Sequence, residues 1–235
     1  MLQPQSYPKL LGQALTLEPA PFVEIVDDDN PWIEGLFFVF VLGVLIGVAR
    51  LVGGLLVSAS LPPADAVLEA LVASLKQALP SFGAGQTGGE PFVRQSWSLI
   101  IPFFNYGSGW LRLLMLIVTP LLLIGQWLLY ATTSHAAARM LGGKGRLGQT
   151  LGTLALSTAP SILLMATIVP FVAVSPLLVH CWGLLIAYRG LEVVHNLPPG
   201  KAAIAALIPF VLGALLFLLA VTVGIALFTM MGGGA

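Results

Sequence analysis

WLLYATTSHAAARMLGGKGRLGQTLGTLALSTAP, residues Trp127 to Pro160, sets a short basic island between two apolar stretches. The island carries Arg139, Gly142, Gly143, Lys144, Gly145 and Arg146. Upstream, apolar sequence runs from about Leu111 to Ala138, and downstream from Leu147 to Ile168. Each stretch reaches the roughly 20 residues needed to cross a hydrocarbon layer about 30 Å thick. The island therefore reads as a turn at a membrane surface between two antiparallel spans. Gly142 and Gly143 are expected to stop the first helix in left-handed geometry, with Lys144 and Arg146 among lipid head groups.

A nucleotide-binding loop makes stricter demands. It needs glycine five positions before the Gly-Lys pair and serine or threonine after it, so that amides cradle phosphate and the hydroxyl holds magnesium. For Gly143-Lys144 those positions hold Ala138 and Gly145; for Gly200-Lys201 they hold His195 and Ala202. Both pairs fail.

Composition extends the membrane reading to the whole chain. Of 235 residues, 57% are hydrophobic and 9% charged, and mean hydropathy is +0.97; a soluble domain is about a quarter charged. Ten basic and ten acidic residues balance, so nothing in the net charge points to nucleic acid as a partner. Cys181 stands alone and forms no intrachain disulfide. The first residues lack an apolar core behind a basic start, so no cleavable signal peptide is expected and the first span serves as insertion signal.

The pattern predicts an all-α polytopic bundle of five spans, residues 32–235, behind a cytoplasmic amphipathic and acidic segment, 1–31. The spans fall at about Trp32–Ser58, Leu111–Ala138, Leu147–Ile168, Val174–Val193 and Ala202–Phe228. Asn30 and Pro31 open the first as N-cap and first helical residue, and Asp27, Asp28 and Asp29 precede it, where negative charge suits a helix N-terminus. Lysine and arginine in short loops stay cytoplasmic. Arg139, Lys144 and Arg146 in one turn, with Arg189 and Lys201 in the other, place both inside. By alternation the N-terminus is cytoplasmic and the C-terminus outside. The long connection 59–110 then lies outside, despite Lys76 and Arg94. Within it, Leu68, Leu71, Val72, Leu75 and Leu79 share a helical face, predicting a helix on the membrane or on the bundle. A glycine-rich linker follows at 81–91, and Trp97, Phe103, Phe104, Tyr106 and Trp110 suit an interfacial belt. The N-terminal segment is expected to rest against the inner leaflet.

An ordered set of motifs resembles a known family. "ARMLGGKGRLGQTLGTLALSTAPSILL", a tryptophan-containing span, and "RGLEVVHNLPPGKAAIAALIP" resemble the Yip family of membrane proteins, named for interaction with Ypt/Rab GTPases. The match covers about the last 125 residues, with a looser fit through "LTLEPAPF" and the first span. The resemblance implies five spans, a cytosolic N-terminus and a short external C-terminus. Eukaryotic members bind prenylated Rab GTPases and act in traffic from endoplasmic reticulum to Golgi. This chain lacks their long soluble N-terminal region and their Asp-Leu-Tyr-Gly-Pro-like motif, which weighs against GTPase binding. It looks more like the short prokaryotic members, implying a prokaryotic plasma membrane.

Polar residues inside spans are costly and mark packing or function. Thr119, Gln126 and Thr133 recur every seven residues, and Gln149, Thr153 and Ser157 every four, so two polar stripes are expected to zip the second span to the third. His180 is expected to bond a neighbouring helix, His135 to meet head groups or water. Gly43 with Gly47 and Ala220 with Gly224 favour close packing within the bundle or in a homo-oligomer. No carboxylate pair, zinc signature or nucleophile–base set stands in the spans, so no enzyme, cofactor or metal is expected. These observations favour a non-enzymatic scaffold or accessory subunit that binds a partner membrane protein or organises the bilayer. The alternative is a small transporter or lipid-handling channel along the second-to-third seam. In a Cys181→Ser background, cysteines at Gly145 and Gly233 should react with impermeant thiol reagent from opposite sides; same-side labelling rejects five spans.

Overall fold

A computed structural model describes residues 7–79, 89–100 and 111–232. Most of the glycine-rich linker, 81–88, and Phe103, Phe104, Tyr106, Trp110 and Gly233 lie outside the described residues. The order is α1 (Tyr7–Leu15), α2 (Ala20–Val26), α3 (Pro31–Ser60), α4 (Ala64–Ala78), α5 (Gly89–Ile100), α6 (Leu111–Met140), α7 (Leu147–Ala155), a 3-10 helix (Leu156–Ile168), α8 (Pro176–His195) and α9 (Pro199–Gly232). Five stretches are long and apolar enough to cross a membrane: Pro31–Ser60, Leu113–Met140, Leu147–Ile168, Pro176–His195 and Pro199–Gly224. The third and fourth are separate, joined by a turn in which Val172 N–H reaches the Val169 carbonyl at 3.2 Å and Phe171 takes φ 66°.

The third span changes pitch. It is α-helical to Ala155 and 3-10 from Leu156. Pro160 has no N–H to return to an earlier carbonyl. Ser157 and Thr158 hydroxyls bond the carbonyls three residues back, Leu154 and Ala155, each at 2.7 Å, competing with the α-helical ladder. At about 2.0 Å per residue the thirteen residues rise about 26 Å, against about 20 Å as α-helix.

The chain divides into two compact units whose borders fall inside helices. The first comprises Met1–Val39, Ile124–Pro160 and Leu177–Ala235. Its core holds Phe22, Leu154, Ile186 and Leu191, all essentially inaccessible. Helices approach closely where side chains are missing. A Cβ on Gly152 would overlap the Pro31 carbonyl, one on Gly183 would lie 2.6 Å from the Ser157 oxygen, and Gly190 leaves room for Phe22. Three ring donors pin helices to backbone at 3.0 Å: Trp127 Nε1 to the Leu151 carbonyl, Tyr130 Oη to Ala206 and Trp182 Nε1 to Leu15.

The N-terminal segment differs from the expectation of a leaflet-bound strip. α1 and α2 dock on protein: Leu10, Ala14, Phe22 and Ile25 are buried, and Tyr7 donates a hydrogen bond to the buried Glu34 carboxylate. Burial, with Glu34 beside it, pushes the Tyr7 hydroxyl well above its usual pKa, which keeps it a donor. The apolar stripe that would have met lipid meets α3, α7 and α8 side chains and backbone instead. Asn30 stands where an N-cap was expected, and its own N–H is taken by Asp28 Oδ1 at 2.8 Å, a bond that holds the Asp28 carboxyl below the usual range.

The second unit comprises Phe40–Leu123 and Ser161–Pro176. Gly43 and Gly47 of α3 face Pro120 and Leu116 of α6, where a Cβ would fall 2.6 and 3.4 Å from their Cα atoms. The small-residue pair expected to serve packing does so within the chain. α4 and α5 form a hairpin clamped by Lys76, Glu90, Arg94 and Glu69. Arg94 holds the Glu69 carboxyl below the usual range, and Lys76 followed by Arg94 does so for Glu90.

Alanine at Gly152 or Gly43 should cost about 1–3 kcal/mol by overpacking and lower the thermal midpoint in detergent. Alanine at Gly213 of α9, with no atom within 4 Å of its would-be Cβ, should leave the midpoint unchanged or raise it.

Candidate functional site

The basic turn is built from its backbone outward. Gly142 takes φ +95°, Gly143 N–H reaches the Ala138 carbonyl at 2.8 Å and Gly142 N–H reaches Arg139 at 3.1 Å. This bond pair is the Schellman stop of an α-helix. The left-handed geometry expected at both glycines falls on Gly142 alone. Gly143 is needed for another reason: a Cβ there would lie 2.6 Å from His195 Nδ1. The following amides are committed as well. Lys144 N–H bonds the His195 carbonyl at 3.2 Å, Gly145 N–H bonds His195 Nδ1 at 3.2 Å, and Arg146 N–H bonds Gln149 Oε1 at 3.1 Å. Every amide from Gly142 to Arg146 thus has an internal acceptor, and none remains to cradle a phosphate.

His195, the last residue of α8, is 1% exposed and ties the turn together. Because Gly145 donates to Nδ1, the ring hydrogen sits on Nε2 and points at Thr150 Oγ1, 3.0 Å away. Thr150 donates to the Arg146 carbonyl at 3.1 Å and accepts from His135 Nδ1 at 2.9 Å. The two imidazoles lie 5.1 Å apart, centroid to centroid. With Nε2 protonated, His195 is not placed to take a proton from Thr150. His135 meets Thr150 and His195 and stays half-exposed at the end of α6. No local spacing rule marks His195; its place at the very end of an apolar span, before Asn-Leu-Pro-Pro, is the signal in the sequence.

The five cations of the two turns separate into two groups. Arg139 donates to the Gly143 carbonyl at 3.2 Å and Lys201 to the Leu141 carbonyl at 3.0 Å, finishing the helix stop. Arg189 pairs with Glu192 at 2.5 Å. Lys144 and Arg146 are exposed, held on a turn whose amides are all bonded. Gly145 is buried, and a Cβ there would lie 2.5 Å from Val194 Cγ1, so Lys144 is the better position for thiol labelling.

The expected polar seam is not drawn together. Gln126 is exposed, and the Thr133 hydroxyl bonds the Leu129 carbonyl of its own helix at 2.7 Å. Gln149 serves the turn and, through Nε2, the Val26 carbonyl at 3.4 Å, while Ser157 bonds the Leu154 carbonyl of its own span. Thr119 and Thr153 are buried with no partner for either hydroxyl among the described residues. The physical reason is size: α6 buries the stripe of Trp127, Ala131, Ser134 and Ala138, whose small members allow close approach, and Gln126 lies about 100° from Trp127 around the helix. His180 is exposed, one residue off the buried stripe of Val179, Gly183, Ile186 and Gly190. Beside Tyr7, Glu34, Phe38 and Gly152 a cavity of about 10 Å³ has room for one water, too little for a solute.

Five apolar helices and a bonded turn define an integral membrane protein. A family model, the Yip1 domain, matches residues 14–221. The chain belongs to the Yip1 domain family. Neither a curated protein nor a solved structure matches it.

Replacing His195 by alanine strands the buried Gly145 amide, while Thr150 keeps Arg146 and His135, and should cost about 1–3 kcal/mol for the unsatisfied group. Thr150→Val should cost less alone and add little to His195→Ala, a coupling read from thermal midpoints of the two single variants and the double variant.

Proposed function

We propose that the protein is a non-enzymatic membrane scaffold, an accessory subunit that holds a partner membrane protein or a second copy through Lys144 and Arg146. One observation carries this reading: two exposed cations sit on a turn whose five amides are all internally bonded. A rigid pair of charges loses little freedom on binding and steers an acidic complement. The bonded amides speak against a nucleotide loop, and the protonation of His195 against a Thr150 nucleophile. Positive-inside asymmetry supports a cytoplasmic turn and N-terminus and an external C-terminus, and the resemblance to short prokaryotic members of the family supports a prokaryotic plasma membrane.

The test is recovery of partners by the tagged protein from native membrane in mild detergent. Lys144→Glu with Arg146→Glu should reduce the co-purifying partner at least tenfold while the thermal midpoint stays within a few degrees, since both side chains are exposed. Undiminished recovery by a correctly inserted double variant would reject the turn as docking surface.

A further inference from the structure

The α4–α5 hairpin turns its charges toward each other. Lys76 Nζ lies 2.7 Å from Glu90, and Arg94 lies 2.6 Å from Glu69 and 3.1 Å from Glu90. Two acids and two bases cancel. Beside these partly exposed charges the hairpin leaves apolar side chains uncovered: Phe92 is 72% accessible, Leu79 54% and Leu71 39%. Ala66, Ala70 and Ala73 of α4 are exposed beside Ser74 and Gln77; Asp65, at the first turn, is the remaining charged residue of the pair. On α4 the charges of Glu69 and Lys76 gather on the side that meets α5, and Leu71 lies roughly 140–160° around the helix from them.

Chain connectivity fixes where this surface lies. Three residues, 61–63, separate α4 from Ser60, the end of spanning helix α3, and they reach at most about 10 Å. At thirty residues α3 is about 45 Å long, more than the hydrocarbon thickness of about 30 Å. With head groups the bilayer is about 40–45 Å thick, so Ser60 reaches the interface and the start of α4 stays within about 10 Å of it, where an amphipathic helix buries apolar side chains about 5–10 Å deep.

We infer that the α4–α5 hairpin is embedded in the bilayer interface, with Phe92 and Leu71 among acyl chains and the Glu69–Arg94–Glu90–Lys76 network at the water side. This surface is independent of Lys144 and Arg146, so either can fail without the other. It gives the protein a hold on one leaflet in addition to its five spans.

The experiment uses the full chain with Cys181→Ser, reconstituted in phosphatidylcholine–phosphatidylglycerol vesicles and carrying a nitroxide at Phe92→Cys, Leu71→Cys or Lys144→Cys. Collision with oxygen, which concentrates in lipid, is compared with collision with a water-soluble nickel chelate. At Phe92 oxygen should dominate, and at Lys144 the chelate should. Chelate access at Phe92 equal to that at Lys144 would put the hairpin in water and overturn the inference. Exclusion of both reagents at Phe92 would mean a protein covers it, a second copy or another segment, and overturns it equally. Leu71→Cys decides in the same way if the Phe92 variant fails to insert.

Discussion

Five consecutive amides, from Gly142 to Arg146, find their acceptors inside the protein, and three of the acceptors belong to two residues, His195 and Gln149. An unpaired amide at a buried turn costs free energy comparable to a lost hydrogen bond, so this pairing dictates the course of the chain. It ends α6, places the N-terminus of α7 and holds both against the end of α8. Glycine is what makes it possible. The backbone lies so close to the imidazole that a side chain at Gly143 or Gly145 would overlap His195 or Val194. The same economy recurs at Gly152 and Gly183, where an absent Cβ lets backbone meet backbone.

The spans were legible in sequence because hydrophobicity over about 20 residues is a bulk property, insensitive to neighbours. Five apolar stretches were read and five helices carry them, and the pause at Val169–Ser175 did separate two. The identity of the turn was legible too, since failure of the phosphate-loop spacing left helix termination as its role. Family membership followed from an ordered set of short motifs. Which face of each helix is buried was far less legible. In water the polar face points outward, but in a membrane protein lipid and core are equally apolar, and periodicity alone does not tell them apart. Gln126 was expected on a packed seam on the strength of polarity, whereas the neighbouring stripe of Trp127, Ala131, Ser134 and Ala138 is the buried one.

The site escaped for a related reason. His135, Thr150 and His195 are separated by 15 and 45 residues and follow no local spacing rule. Their meeting depends on how the turn folds back, a tertiary event. The same holds for α1 and α2. Their apolar stripe was visible, but sequence could not distinguish a leaflet from a crevice lined by α3 and α7. The pitch change after Ala155 was half visible, in Pro160 and the hydroxyls around it.

The closed bonding of the turn also separates two kinds of inheritance. Amides and glycines set its shape, and they are indifferent to what side chains stand at Lys144 and Arg146. Those two positions can exchange charge, size or polarity without unfolding the turn that displays them. A lineage built on this scaffold can therefore change its binding preferences there one substitution at a time, with the fold paying nothing for the experiment.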